Sequence, residues 1–167
     1  MIKKFLFLAF IGLSFTFVSE KPTLYLIGDS TVRNTTKPGD LWGWGSILQD
    51  YFDSSKLYVS NQAMAGRSTR TYLKEGRWDK VLSTLKTGDF VMMQFGHNDG
   101  SKPDTSKAGY RGVLRGTSED SVVLNWNDGK QEIVHTYGWY IRKFIRDTKA
   151  KGATPIVCSF IPDRKSV

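Results

Sequence analysis

Short continuous runs of apolar residues alternate along this chain with segments in which apolar residues recur at helical spacing. Four runs have the length of buried strands, at residues 23–27, 57–60, 90–95 and 154–161. Apolar residues spaced by three and four predict helices at 42–52, 78–85 and 137–148. Because the strands are apolar throughout and do not alternate, the pattern predicts an α/β fold with a parallel sheet covered on both faces.

The segment from 100 to 134 interrupts this alternation. Residues 100–116 are polar and contain several glycines, which predicts a long loop. Apolar stretches at 121–126 and 130–134 flank an Asn-Asp-Gly step, and such a step accepts positive φ, so a β-hairpin is predicted. A lobe that faces the substrate and a surface decoration are both consistent with this pattern.

The first 20 residues have the pattern of a signal peptide. Lys3 and Lys4 form a positive start, and the apolar stretch at 5–18 is shorter than the ~20 residues of a spanning helix. We therefore expect a leader over 1–20, a folded domain over 21–167, and a secreted or periplasmic protein without stable membrane association after cleavage. An uncleaved anchor is the alternative.

Composition fits one globular domain, with 40% hydrophobic and 24% charged residues. The formal net charge is +8, of which the two leader lysines account for two. Such a charge suits an acidic polymer such as a pectic glycan, an anionic membrane or nucleic acid. Since the chain has no arginine-rich run, nucleic acid is not an expected partner. The single cysteine, Cys158, allows no disulfide within the chain, and we expect it to be buried in the last strand.

Small and polar residues follow three predicted strands, at the sheet edge where ligands bind. Ser30 lies in the Gly-Asp-Ser-Thr tetrad at 28–31, at a predicted helix start whose amides favour an oxyanion, although a helix cap is the better explanation of the tetrad taken alone. Gly66 offers a backbone N–H to a ligand, or serves as a turn glycine. Asn98 offers its side-chain amide to a carbonyl oxygen, or bonds its own backbone.

Taken together, these loops resemble the first three sequence blocks of the SGNH, or GDSL-like, hydrolase superfamily. Ser30, Gly66 and Asn98 match the serine, glycine and asparagine of those blocks. Other segments resemble the rhamnogalacturonan acetylesterase branch of the superfamily: Gly-Trp-Gly at 43–45, Gly-His-Asn-Asp at 96–99, His-Thr-Tyr-Gly-Trp-Tyr at 135–140 and Lys-Gly-Ala-Thr-Pro-Ile-Val at 151–157. The resemblance covers about residues 22–163.

The resemblance implies a flavodoxin-like three-layer α/β/α sandwich and a serine esterase that uses no metal or cofactor. Ser30 would attack the ester carbonyl, and the amides of Ser30 and Gly66 with the Asn98 side chain would form the oxyanion hole. The branch deacetylates pectic rhamnogalacturonan and related glycans, so an acetylated polysaccharide is the expected partner.

Two alternatives stay open. One is an esterase acting on another acetylated glycan or on a lipid ester. The other is a non-catalytic carbohydrate-binding protein that uses Trp42, Trp44 and the loop at 100–116. Core packing against helix faces is the competing role for these two rings, as it is for Trp78 and Trp139.

One block of the family is absent from these 167 residues. In the family, a D-x-x-H motif supplies the general base and the aspartate that orients it, and this sequence contains no such motif. Its two histidines are His97, inside the Asn98 block, and His135, before a predicted helix. A serine without its base is a poor nucleophile. We therefore expect an incomplete domain with impaired activity, the N-terminal portion of a longer enzyme; an evolved inactive protein is the alternative.

Overall fold

The computed structural model describes residues 20–35, 37, 39, 41–106 and 110–159. The strands in this part of the chain are β1 (Thr23–Gly28), β2 (Tyr58–Asn61), β3 (Phe90–Gln94), β4 (Ser121–Asn125), β5 (Gln131–His135) and β6 (Thr154–Val157). The α-helices are α1 (Thr69–Lys74), α2 (Arg77–Thr84) and α3 (Tyr137–Ala150). The first three predicted strands, the hairpin and the helices at 78–85 and 137–148 are thereby confirmed, and the fourth predicted strand is confirmed over 154–157 but does not include residues 158–159. Positions 160–161 of the last predicted strand lie outside the described residues.

The central sheet is parallel and has the strand order β2-β1-β3-β6, while β4 and β5 form a separate antiparallel hairpin. The chain runs from β1 outward to β2, crosses back over β1 to β3, and continues to β6. Right-handed crossovers in opposite directions pass over opposite faces of a sheet. The segment before β2 therefore covers one face, and α1, α2 and α3 cover the other. The reversal makes the carboxyl end of β1 the switch point at which ligands bind in such folds.

Alternate side chains of β1 enter two separate cores, because successive residues of a strand point to opposite faces. Tyr25 and Ile27 pack against the three helices, and Leu24 and Leu26 pack on the other face. The helical side holds the larger cluster of buried rings, made by Tyr72, Trp78, Phe95 and Phe144. A parallel sheet that is covered on both faces is the predicted α/β architecture.

Residues 42–52 do not form the predicted helix and fold into two 3-10 turns, Trp44–Ser46 and Leu48–Tyr51. A Cβ at Gly43 would collide with the carbonyl of Thr31, so this segment runs directly against the turn that follows β1. The Trp44 indole N–H donates to the Gln94 side chain at 2.5 Å, which ties the segment to β3. These contacts hold the backbone in a path that a regular helix does not follow. Trp42 is 59% exposed, so the prediction that this ring packs in the core is wrong.

The hairpin is fastened to α1 by a buried ion pair. The Arg70 guanidinium, 2% exposed, donates to both carboxylate oxygens of Glu132 at 2.7 and 2.8 Å. Lys74 lies 2.6 Å from the same carboxylate. Burial acts to raise the pKa of Glu132, but the hydrogen bonds and charges of Arg70 and Lys74 outweigh burial and lower that pKa to about 2.

Cys158 differs from its prediction, because it is half-buried and lies one residue beyond the end of β6. Among the described strands, β6 pairs only with β3, so its residues have a strand neighbour on one side. The thiol is therefore less enclosed than a residue of a central strand.

Positions 1–19 of the predicted leader lie outside the described residues. Within the described ranges, no helix is long and apolar enough to cross a membrane.

The aromatic cluster on the helical face predicts a large effect of truncating its central ring. Phe144 is fully buried, and its ring centroid lies 4.8 Å from that of Trp78. We expect Phe144→Ala to lower the free energy of unfolding by about 3–5 kcal/mol, since it removes buried contacts and leaves a cavity. Urea denaturation followed by circular dichroism measures this change.

The matched control is Tyr51→Ala, which truncates a ring that is 75% exposed. It is expected to change the unfolding free energy by no more than about 0.5 kcal/mol. Equal losses in the two variants would contradict the placement of the core.

Candidate active site

Ser30 lies on a tight turn directly after β1 and is exposed. The Asp29 carbonyl accepts hydrogen bonds from the N–H groups of Val32 and Arg33 at 3.2 and 3.1 Å, and the described residues 31–35 form no helix, so the predicted helix start is wrong. Asp29 Oδ1 accepts bonds from the N–H and the hydroxyl of Thr31, both at 2.9 Å. This bond to the amide two residues ahead shapes the turn, since aspartate favours such local bonding. The carboxylate of Asp29 thus holds the backbone on which Ser30 is presented.

Gly66 lies in the loop after β2, with φ of +77°. An L-residue with a side chain is strained at this angle, so glycine is required for the turn itself. The Gly66 carbonyl accepts a bond from Arg111 Nη1 at 3.0 Å. Within the described residues, the N–H groups of Gly66 and Ser30 donate no hydrogen bond to the protein. Both amides are therefore available to an external acceptor.

Asn98 lies in the loop after β3 and is partly buried. Its side-chain nitrogen donates to the carbonyl of Arg67 at 3.0 Å. A primary amide has two N–H donors, so this bond fixes the side chain and leaves the second hydrogen for another acceptor. The bond runs to another loop, in contrast to the local backbone bonding that was the alternative for this residue.

Contacts between the three loops bring the predicted site residues to one edge of the sheet. The N–H of Met64 donates to the carbonyl of Gly28 at 3.0 Å, which joins the second loop to the first. The bond from Asn98 to Arg67 joins the third loop to the second. His97 Nδ1 lies 3.8 Å from Asp29 Oδ2, which brings the third loop beside the first.

Two carboxylates are buried beneath these loops. Asp99 Oδ1 accepts bonds from the N–H and the hydroxyl of Thr69 at 2.9 and 2.5 Å. Among the described residues, Asp99 Oδ2 and Asp29 Oδ2 are both buried without a hydrogen-bond donor. Burial raises the pKa of Asp99 to about 6; the hydrogen bonds from Thr69 oppose the rise and the charge of Asp29 adds to it. The floor of the site is therefore acidic and poorly solvated.

The two histidines occupy different places. His97 stands in the third loop with its side chain 28% exposed, next to Asp29. His135 ends β5 and is stacked on Trp139, with ring centroids 3.7 Å apart. Since β5 belongs to the separate hairpin, His135 lies off the central sheet whose edge carries Ser30.

Sequence reasoning missed the residues that shape the loops, namely Asp29, Asp99, Thr69 and Arg111. An Asp-x-Thr spacing at 29–31 signals the bond that forms the first turn. Ser68 and Thr71, three residues apart, signal the cap of α1 that brings Thr69 to Asp99. The contact of Arg111 with Gly66 has no sequence signal.

The family model for GDSL-like lipases and acylhydrolases matches residues 24–158, which include all three strand-end loops. The chain belongs to this family. The match begins in β1 and ends just after β6, so it takes in all of the parallel sheet except Thr23.

Named relatives fall in the same family. A rhamnogalacturonan acetylesterase of Emericella nidulans is 35% identical over 141 residues, which are 84% of this chain and 53% of that protein. The rhamnogalacturonan acetylesterase RhgT of Bacillus subtilis is 31% identical, over 72% of this chain and 58% of that protein. The chain thus spans just over half the length of both relatives.

A solved crystal structure has the same fold. The Bacillus subtilis protein YxiM superposes with a TM-score of 0.58 and 29% identity, over 83% of this chain and 32% of that protein. The likeness confirms the SGNH hydrolase fold for this parallel sheet.

The buried Asp99 predicts a specific pH dependence of stability. Its pKa is raised from the value of about 4 in an unfolded chain to about 6, so the folded state binds the proton more tightly. The resulting stabilisation is complete below pH ~4 and is lost as the pH rises through 6. We expect Asp99→Asn to remove a fall of roughly 2 kcal/mol between pH 4.5 and 7.

Urea denaturation across this pH range measures the fall. Asp79→Asn, at an exposed position of α2, is the control and keeps the slope of the unaltered chain. The same slope in Asp99→Asn as in the unaltered chain would refute the assignment.

Proposed function

We propose that this chain is a serine esterase that removes acetyl groups from rhamnogalacturonan or a related glycan, with Ser30 as nucleophile. The observation that carries the proposal is the meeting of three loops at the carboxyl ends of adjacent parallel strands. One loop presents an exposed hydroxyl, and two loops offer backbone N–H groups without a partner among the described residues. A nucleophile beside unused N–H donors is the arrangement that acyl transfer requires.

The proposed reaction proceeds through an acetyl-enzyme. Ser30 Oγ loses its proton and bonds to the ester carbonyl carbon, whose oxygen becomes negative. The N–H groups of Ser30 and Gly66 and the free amide hydrogen of Asn98 stabilise that oxyanion. The carbon–oxygen bond to the sugar then breaks, and the sugar leaves as an alcohol with a proton. Water attacks acetyl-Ser30, which releases acetate and restores the hydroxyl.

A proton acceptor for Ser30 is the remaining requirement. The D-x-x-H motif that supplies it in the family does not occur in these 167 residues. Among the residues the structure describes, Ser30 makes no side-chain hydrogen bond to His97 or to another base. We therefore expect this chain to acylate slowly, although the oxyanion donors alone can support turnover about 10³–10⁴-fold above water.

The substrate class is supported by charge and by relatives. The net charge of +8 favours an acidic polymer over a neutral one. Two relatives that align over most of the chain are named rhamnogalacturonan acetylesterases. Acetylated rhamnogalacturonan is therefore the first substrate to assay, with acetylated xylan as the neutral comparison.

Substitution at Ser30 and Asn98 tests the proposed machinery. We expect Ser30→Ala to abolish acetylation of the protein, because no acyl acceptor remains, and to leave no more acetate release than the oxyanion donors support by themselves. Asn98→Ala is expected to lower the rate about 100-fold, the usual effect of losing one oxyanion donor. Acetate is measured enzymatically, and mass spectrometry locates the acetyl group after reaction with an activated acetyl ester.

Ser83→Ala is the matched control, since Ser83 is an exposed residue of α2 and has no place in the proposed site. It is expected to keep the full rate and the acetyl group on Ser30. An acetyl group that still attaches to the protein in Ser30→Ala would show that the nucleophile is wrong. Glycan binding that survives in Ser30→Ala, without release by the unaltered chain, would favour a non-catalytic binding protein.

A further inference from the structure

Arg111 is the one cation that contacts the backbone of a predicted oxyanion donor among the described residues. Its Nη1 donates to the Gly66 carbonyl at 3.0 Å, and that carbonyl is three bonds from the Gly66 N–H. The Arg111 side chain is exposed. A guanidinium carries five N–H donors, so this single bond leaves most of its fork turned to solvent.

The backbone around Arg111 is held by hydrogen bonds to α1 and to the loop that follows β3. The buried Arg70 side chain donates to the Gly112 carbonyl at 3.0 Å, and the N–H of Val113 donates to the Asp99 carbonyl at 3.2 Å. A Cβ at Gly112 would collide with the Ser101 carbonyl, so this stretch also packs against the start of its own loop. The position of the Arg111 Cα is therefore fixed by α1 and by the third strand-end loop.

No carboxylate in the described part of the chain neutralises the charge of Arg111. Arg67, one residue from Gly66, forms an ion pair with Glu75 at 3.0 Å. Among the described residues, no carboxylate lies within 4 Å of the Arg111 guanidinium. The guanidinium of Arg111 has a backbone fixed in position, has no ion-pair partner among the described residues, and lies beside the predicted reaction centre. Such a group is suited to a carboxylate, which it binds with two parallel hydrogen bonds.

We infer that Arg111 is a specificity residue that binds the carboxylate of a uronic acid unit next to the acetylated sugar. The inference rests on the proposed function, because it places the ester carbonyl at Gly66. It goes beyond that function by naming the side chain that selects an acetylated glycan with uronic acid units over a neutral one. A neutral acetylated glycan lacks the group that Arg111 binds.

Binding measurements test this role independently of turnover. The probes are acetylated rhamnogalacturonan oligosaccharides and the same oligosaccharides with their uronic carboxyls reduced to alcohols. In a Ser30→Ala background, titration calorimetry gives the affinity for each probe. We expect Arg111→Gln to weaken binding of the uronate probe by about tenfold or more, and to leave binding of the reduced probe unchanged. Arg111→Lys keeps the positive charge but loses the two parallel N–H donors. We expect its affinity for the uronate probe to lie between that of the chain with Arg111 and that of Arg111→Gln.

Arg146→Gln is the charge-matched control. Arg146 is an exposed residue of α3, about 14 Å along the helix from its start, and the helix runs away from the edge that carries Ser30. The Arg146→Gln substitution removes the same formal charge as Arg111→Gln, so its effect on binding measures the general attraction of a basic chain for an acidic glycan. Far-ultraviolet circular dichroism confirms that each variant is folded.

Several results would overturn the inference. Equal weakening by Arg111→Gln and Arg146→Gln would assign the effect to net charge. Equal weakening for both probes would make Arg111 a support of the Gly66 loop alone. Absence of uronate binding by the Ser30→Ala chain would also refute it.

The two proposals fail in distinguishable ways. Acetate release that depends on Ser30 but not on Arg111 would refute only the specificity role. Uronate binding that depends on Arg111, without Ser30-dependent release by the unaltered chain, would refute only the esterase.

Discussion

The pairing of β1 with a parallel strand on each side is the constraint on which the rest of the structure depends. Leu26 is in register with Asn61 of β2, and Gly28 is in register with Gln94 of β3. Since all three strands run in the same direction, their carboxyl ends must reach one edge together. The loops that carry the predicted site are neighbours because the sheet leaves them no other arrangement.

Polar groups in the interior connect this edge to the rest of the molecule. Arg70 bonds Glu132 of the hairpin and the carbonyl of Gly112, while Asp99 bonds Thr69 at the start of α1. Breaking a buried pair by removing one partner leaves an uncompensated charge, which costs several kcal/mol. One short helix therefore orients the hairpin, the long loop and the third strand-end loop at once.

Sequence patterns predict the elements whose signals are local. The continuous apolar runs gave the parallel strands, and the Asn-Asp-Gly step gave the hairpin. The helix over 42–52 fails because apolar spacing does not register the close approach of Gly43 to the turn after β1. The helix α1 is not predicted, because its six residues are too few to show the repeated apolar spacing of a helix. Ser30, Gly66 and Asn98 can be named from their motifs, whereas the contact of Arg111 with Gly66 joins positions 45 residues apart and has no local signature.

The two faces of the sheet are covered to different depths. Among the described residues, three α-helices cover one face, while the segment at 41–52 covers the other with two short 3-10 turns and leaves several large apolar side chains exposed. The hydrogen bonds of 3-10 turns have poorer geometry than those of α-helices, and thinly packed segments open with less free energy than the core. We therefore expect the backbone amides on this side of the sheet to exchange with solvent before those of the helical face.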